Sequence, residues 1–377
     1  MGLAADHLDI VLPASMVVSL IVAMLVVLTS RWHASLTGDH GHGIQKVHQG
    51  YTPRIGGVGI LAGYLAAAML VSEYAPSHLR VIWMTLVASI PALLFGIAED
   101  LTKRVGTKER LLATMCSGVV GWYLTGYALF RVDVPGVDML LAYTPIAVLF
   151  TAFAVGGVAN AINMIDGFNG LAAGTVLICL TAMGFMAWQV QDIEIVTLTL
   201  IIGATTIGFL LVNFPYGKIF LGDGGAYALG FMLSWIAVML SARHPEHISP
   251  WAPLLACAYP IMEAIFSMAR RALRGLAVDQ PDRTHLHSLV YRRVVPRFVS
   301  LRRPALRNAA VSPLMWAFAA LPAMLSILTM GSTIGSVLAL VFCALVYAYL
   351  YARLSHFRWR NPSLRFRRRP TVPNQIR

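Results

Sequence analysis

Met16-Val17-Val18-Ser19-Leu20-Ile21-Val22-Ala23-Met24-Leu25-Val26-Val27-Leu28 decides the fold class. Ser19 is its single polar residue, and nothing alternates with period two as a half-buried strand would. Val337–Leu350 reads the same way. About 20 apolar residues carry a helix across the hydrocarbon layer, where every backbone group must be satisfied internally. Both runs are too long and continuous for barrel strands, so the reading is all-α. The whole chain agrees: 58% of its 377 residues are hydrophobic and 12% charged, against about 25% charged in soluble domains.

Working outward, eleven apolar segments predict spans near 10–30, 56–72, 81–98, 111–129, 143–160, 171–188, 195–213, 225–241, 250–268, 309–329 and 332–351. Alternating spans put all but three of the 29 Lys and Arg on one side, the exceptions being Arg80, Arg131 and Arg243. By the positive-inside rule that side is the cytoplasm, with the N-terminus periplasmic and the C-terminus inside. Residues 1–9 hold no Lys or Arg and the first basic residue, Arg31, follows the apolar run. An uncleaved first span is therefore expected rather than a signal peptide. The expected organisation is one transmembrane catalytic domain, 1–351, with cytoplasmic loops 31–55, 99–110, 161–170, 214–224 and 269–308, and a basic tail, 352–377. The formal charge of +12 suits anionic membrane lipid. No nucleic-acid-binding motif accompanies it, so no nucleic-acid partner is expected. Cys116, Cys179, Cys257 and Cys343 all fall within predicted spans, which implies packing rather than a disulfide or thiolate metal site.

Polar residues that gather where spans reach the basic side are the candidates for chemistry. Glu99-Asp100 end the third span, Asp166 follows the fifth, Asp223 precedes the eighth, and Glu263 lies inside the ninth. Charge at membrane depth costs about 3 kcal/mol on insertion scales, so such residues need partners or a function. Asn160-Ala161-Ile162-Asn163-Met164-Ile165-Asp166-Gly167-Phe168-Asn169-Gly170-Leu171 is the sharpest string. Asn160, Asn163 and Gly167 are spaced for one helical edge, and the glycines permit a turn and close approach by a ligand. Carboxylate and amide oxygens suit a hard cation, and magnesium commonly binds through few protein groups plus substrate phosphates. Phe220-Leu221-Gly222-Asp223-Gly224-Gly225 repeats the logic, either as a ligand loop or as a turn with Asp223 capping a helix. In the 269–308 interval, Arg283, His285 and His287 offer donors to phosphate oxygens. An extended segment would point both histidines the same way. Zinc is the rival reading, without standard ligand spacing or any Cys to help.

These strings resemble the polyprenyl-phosphate N-acetylhexosamine-1-phosphate transferase superfamily. The resemblance begins at Lys46…His48…Thr52-Pro53-Arg54…Gly56-Gly57 and runs through the Asp282–Arg293 segment. It implies a many-span helical fold in a bacterial inner membrane. The implied reaction is transfer of an N-acetylhexosamine 1-phosphate from a UDP-N-acetylhexosamine to undecaprenyl phosphate, releasing UMP and initiating a lipid-linked surface glycan. Mg2+ is the implied cofactor, with Mn2+ as the alternative, and Asn163 and Asp223 match the metal positions. Asp100, Glu99 and Asp166 match catalytic positions, with Asp100 expected to orient or deprotonate the lipid phosphate. Arg283, His285 and His287 match the loop that handles the diphosphate. Lys46, Lys103 and Asn169 fall in or beside segments lining the donor or lipid-phosphate site. Three departures mark a branch: Glu99 replaces the first Asp of an Asp-Asp pair, Asn169 an Asp of many bacterial members, and Ser288 a third His. One-step transfer and a double displacement through an Asp-bound intermediate both remain open, as does homodimerisation. A transporter of a lipid-linked or anionic substrate is the alternative function. Broken helices and charge deep in several spans would mark one, whereas here the polar motifs cluster at one face.

Overall fold

The computed structural model of the protein describes residues 7–39, 52–74, 79–273, 275, 284–300 and 302–355. All eleven predicted apolar segments are helical. The helices are α1 (Leu8–Leu28), α2 (Ser30–Thr37), α3 (Gly57–Tyr74), α4 (Leu79–Thr102), α5 (Thr107–Thr125), α6 (Pro135–Leu141), α7 (Thr144–Ile165), α8 (Leu171–Gln189), α9 (Ile193–Asn213), α10 (Gly222–Arg243), α11 (Trp251–Ala256), α12 (Ala258–Leu273), α13 (Leu286–Arg293), α14 (Pro304–Ala309), α15 (Val311–Leu328) and α16 (Thr333–Ser355). A two-residue antiparallel pair, β1 (Gly38–Asp39) with β2 (Thr52–Pro53), ties the ends of the first long loop. Eight of the described helices are long and apolar enough to cross a membrane. The protein is thus a polytopic all-α membrane protein. The predicted spans at 56–72, 111–129 and 250–268 correspond to helices outside those eight.

The ninth predicted span is broken. α11 and α12 meet at Cys257 because Pro260 has no N–H to give the carbonyl of Ala256 four residues back. That oxygen instead accepts the Cys179 thiol from α8 at 3.1 Å. Two loops are shorter than expected. α7 runs on to Ile165, so Asn160 and Asn163 are helical. α10 begins at Gly222, so Asp223 stands in its first turn.

α10 is buried along nearly its whole length, as a helix without a polar face must be. α3, α4, α5, α7 and α8 pack around it. Small residues let these backbones approach, the usual device where lipid supplies no hydrophobic drive between helices. A Cβ on Gly96 of α4 would stand 2.5 Å from the Cα of Gly224. The outer surface carries apolar side chains instead: Tyr123 is 80% exposed, Leu149 62% and Leu345 65%. Such an inversion suits a lipid-facing wall rather than water. At the end of the bundle away from the polar motifs, Arg243 bridges Asp192 at 3.1 Å and Glu194 at 2.9 Å. Arg131 pairs there with Asp133.

Candidate active site

The site begins with how the chain delivers Asp223. Gly222 has φ +75°, and a Cβ there would run into the carbonyl of Arg54, so the turn requires glycine. Three backbone bonds zip this turn to the strand–helix junction: Phe220 N–H donates to Pro53 O at 2.9 Å, Gly56 N–H to Phe220 O at 2.9 Å and Gly57 N–H to Leu221 O at 3.0 Å. The same zipper fixes Arg54.

Asp100 projects from the last turn of α4 and is 1% exposed. Its Oδ1 accepts the N–H of Asp223 and its Oδ2 the N–H of Gly224, both at 2.9 Å. A residue from one span thereby caps the helix begun by another, satisfying donors that a helix N-terminus leaves open and placing negative charge at its positive end. The Arg54 Nε lies 3.9 Å from Oδ1. Lys103, with φ +56°, closes α4 by donating its Nζ to Asp100 O at 2.7 Å. Glu99, half-buried, turns the other way and accepts the N–H of Val105 at 2.8 Å, bracing the α4–α5 turn.

Asp223 is surrounded by donors. Arg110, at the start of α5, pairs with its Oδ2, while Arg54 reaches Oδ1 at 3.4 Å. Asn163 Nδ2 donates to Oδ1 at 3.1 Å. One turn back on α7, Asn160 Oδ1 accepts the Tyr227 hydroxyl at 3.0 Å, and the Arg110 guanidinium lies 5.7 Å from that ring's centre. The Asn160 and Asn163 part of the expected helical edge thus faces α10, whereas Gly167 does not extend it, because α7 ends at Ile165.

Asp166 ends α7 and keeps part of its surface open. Crowding by surrounding protein pushes its carboxyl up to about 7; Arg54 pulls it down and Asp100 adds to the rise. Two oxygens of Asp100 are spent on α10, so Asp166 is the more available carboxylate.

Beyond Gly167 lie the histidines. His285 is the N-cap of α13 and His287 stands in its first turn. Their rings stack in parallel, 5.1 Å apart and 7° from coplanar orientation. Glu263 of α12 holds them: its Oε1 accepts the N–H and the ring Nδ1 of His287 at 3.1 and 3.0 Å. The opposite ring nitrogen of His287 faces Gly167, 3.9 Å from where a Cβ would stand. Phe168 packs edge-on to the same ring at 5.6 Å.

Asn169, expected in or beside a segment lining the donor or lipid-phosphate site, is buried. It is 1% exposed, its N–H donates to Asn308 Oδ1 at 2.8 Å and its Nδ2 to Pro215 O at 2.9 Å. Its Oδ1, facing Gly217, has no partner. Asn169 thus pins the α7–α8 turn to the 213–217 turn. Nearby, Phe214, Phe298, Arg302, Arg303 and Leu306 help line a groove of about 750 Å³, apolar and basic together. The expected ligands Lys46 and Arg283 lie outside the described residues.

Arg54 and Arg110 are additions that the sequence did not assign to the site, and Glu263, a candidate there, had no assigned role. Arg54 stood in the quoted Thr52-Pro53-Arg54 string and Glu263 was the one charge within a span, whereas Arg110 was one basic residue in a basic loop. Among the described residues no group of three His, Cys, Asp or Glu is arranged to hold a metal. Asp223 and Asn163 carry the carboxylate and amide oxygens that magnesium commonly takes together with phosphate and water, and here the Asp223 oxygens face Arg54, Arg110 and Asn163 Nδ2.

A family description, glycosyl transferase family 4, matches residues 82–241. The chain is 30% identical over 243 residues to the probable undecaprenyl-phosphate N-acetylglucosaminyl 1-phosphate transferase of Bacillus subtilis (strain 168), covering 64% of this chain and 66% of that one. It is 30% identical over 252 residues to the undecaprenyl-phosphate alpha-N-acetylglucosaminyl 1-phosphate transferase of Yersinia pestis, covering 66% and 68%. The protein of that same name from Escherichia coli (strain K12) is 27% identical, covering 66% and 67%. The matches to these relatives span about two thirds of their length, and the family match at 82–241 includes Asp100, Asn163, Asp166 and Asp223.

Proposed function

The chain belongs to glycosyl transferase family 4, and from this we propose that it transfers a sugar 1-phosphate from a nucleotide sugar to a polyprenyl phosphate. More finely, the donor is a UDP-N-acetylhexosamine, the acceptor undecaprenyl phosphate, and the product a lipid-linked sugar diphosphate that starts a surface glycan. The observation that carries this reading is one cluster: Asp100, Asp166, Asp223, Asn163, Arg54 and Arg110 gathered at one end of a membrane bundle. The basic loops lie at that end, so we place it at the cytoplasmic face of a bacterial inner membrane, where a lipid phosphate and a soluble nucleotide meet. The single catalytic unit 1–351 and the basic tail 352–377 are part of the same proposal.

The chemistry needs charge neutralisation and in-line placement more than covalent help. An oxygen of the lipid phosphate attacks the sugar-side phosphorus of the donor. The bond from that phosphorus to the bridging oxygen breaks, and UMP leaves with the bond's electron pair. Asp166, with its carboxyl near 7, takes the proton of a singly ionised lipid phosphate. Asp223 and Asn163 would hold Mg2+ jointly with the donor diphosphate. That ion supplies further neutralisation of the leaving phosphate. Arg54 and Arg110 neutralise the same region from the protein side, and Asp100 keeps Asp223 in place by fixing the first turn of α10. His287, doubly protonated, would donate from Nε2 to the diphosphate across Gly167, with His285 stacked beside it. A covalent intermediate on Asp100 would have to break the cap of α10, because both its oxygens accept N–H groups there.

The test is purified protein, undecaprenyl phosphate, Mg2+ and a panel of UDP-sugars, with UMP and the lipid product followed together. Acceptor-dependent UMP release with one N-acetylhexosamine donor is expected. An absence of UMP release with every donor would overturn the reading.

A further inference from the structure

Glu263 has no exposed surface, and it sits on α12, in the ninth span predicted from the sequence. Buried carboxylates there survive by gathering donors. Two bonds to His287 were described above; in addition Oε2 accepts the N–H of Leu286 at 3.2 Å and the Tyr347 hydroxyl from α16 at 2.9 Å. The His285 Nδ1 lies 3.4 Å from Oε2. Arg270, the nearby cation on the same helix, turns instead to the Tyr351 hydroxyl at 2.9 Å.

We propose that Glu263 is a positioning residue that orients His287, and with it His285, toward the donor diphosphate. The proposal rests on the transferase reading. A carboxylate that takes the proton of one ring nitrogen fixes which nitrogen is left to face outward. Here Nδ1 is taken at 3.0 Å, so the other nitrogen is the one presented at Gly167, beside Asp166. The parallel stack carries the neighbouring ring along. The same carboxylate also consumes the first two N–H groups of α13. Those amides are thereby withheld from an anion, and the donor offered to a phosphate is His287 Nε2–H, which is present when the ring carries a proton on both nitrogens. Hydrogen-bond partners of metal-bound histidines commonly change affinity or activity about 10- to 100-fold when removed, and the lower end of that range sets the scale for a histidine oriented toward a phosphate.

A purely structural pin would give a different pattern from an orienting group, and a double-mutant cycle separates them. Glu263→Gln keeps the shape and removes the charge. The expected result is a loss of kcat/KM for the UDP-sugar of about tenfold or more. In a His287→Ala background the same change should cost less than about twofold, because the ring it orients is gone. Equal losses in both backgrounds overturn the proposal. Should Glu263→Gln fail to fold, Tyr347→Phe removes one donor to the same carboxylate and is judged by the same inequality. A second readout needs neither a variant nor activity. ¹⁵N NMR of histidine-labelled wild-type protein should find His287 protonated at Nδ1, and at Nε2 as well when UDP is bound; a neutral ring protonated at Nε2 alone overturns the proposal. Wild type that turns over no UDP-sugar would remove the proposed function, while the NMR result would still decide whether Glu263 sets the ring.

Discussion

An Asp100→Asn substitution alters one atom of a buried group and should be felt first in the backbone of α10. The native carboxylate accepts two N–H groups, one on each oxygen at 2.9 Å. Asn preserves the outline but turns one acceptor into an NH2 that faces a backbone donor. The loss of one charge-assisted bond is worth roughly 1.5–3 kcal/mol, and the loss of negative charge at a helix N-terminus about 0.3–1 kcal/mol. The group is 1% exposed, so little of this is recovered from solvent. The Arg54 contact, at 3.9 Å from a partly exposed side chain, adds little and is left out. The sum is ~2–4 kcal/mol, which corresponds to roughly 30- to 700-fold faster opening of the first turn of α10. Amide hydrogen exchange on peptides covering 221–226 measures that opening directly. Turnover should collapse with it, because Asp223 rides on the same turn. Unchanged exchange beside a lost kcat would refute the reasoning and return Asp100 to direct contact with the acceptor phosphate, the role its sequence position first suggested. Glu99→Gln should leave exchange at 221–226 unaltered, since its carboxylate braces Val105 instead.

Asp166 binds a proton more readily folded than unfolded, its carboxyl standing near 7 against about 3.9 unperturbed. Its contribution to stability is therefore complete below about pH 4 and is lost as pH rises through about 7. Asp166→Asn should remove that trend from the melting curve, and should also remove a rise of kcat through about pH 7; a wild-type-like pH profile in the mutant would exclude Asp166 as the proton acceptor. For the cation, chelation should abolish turnover and added Mg2+ restore it, and Asp223→Ala and Asn163→Ala should each abolish turnover and weaken divalent-ion dependence. Near-normal rates for both mutants at limiting Mg2+ would place the cation elsewhere. Cysteines introduced in the 269–308 interval should label only from the cytoplasmic side; labelling from outside would invert the topology.

The sequence was legible wherever the signal was local. Met16–Leu28 and its counterparts declared spans because period and length are properties of neighbouring residues, and helices stand at all eleven places. The Asn160–Asn163 edge was readable for the same reason. The pairing of Asp100 with Asp223 was not, since 123 residues separate acceptor and donor and nothing in either string names the other. Arg54 and Arg110 were hidden differently. A basic residue on the basic face satisfies the topology signal whether or not it touches Asp223, so that signal masks any arginine with a second task. Acidic residues have no such cover. Glu263 stood out because a carboxylate in a span has no topological excuse, and its partners came from segments 24 and 84 residues away. The asymmetry has a physical root. Cations near span ends are stabilised by the membrane surface itself, whereas anions there must find their stabilisation inside the protein. The acidic residues at the ends of these spans consequently mark where the chain folds back on itself. Asp100 marks the cap of α10, Asp223 the meeting of two arginines, and Glu263 the docking of α13.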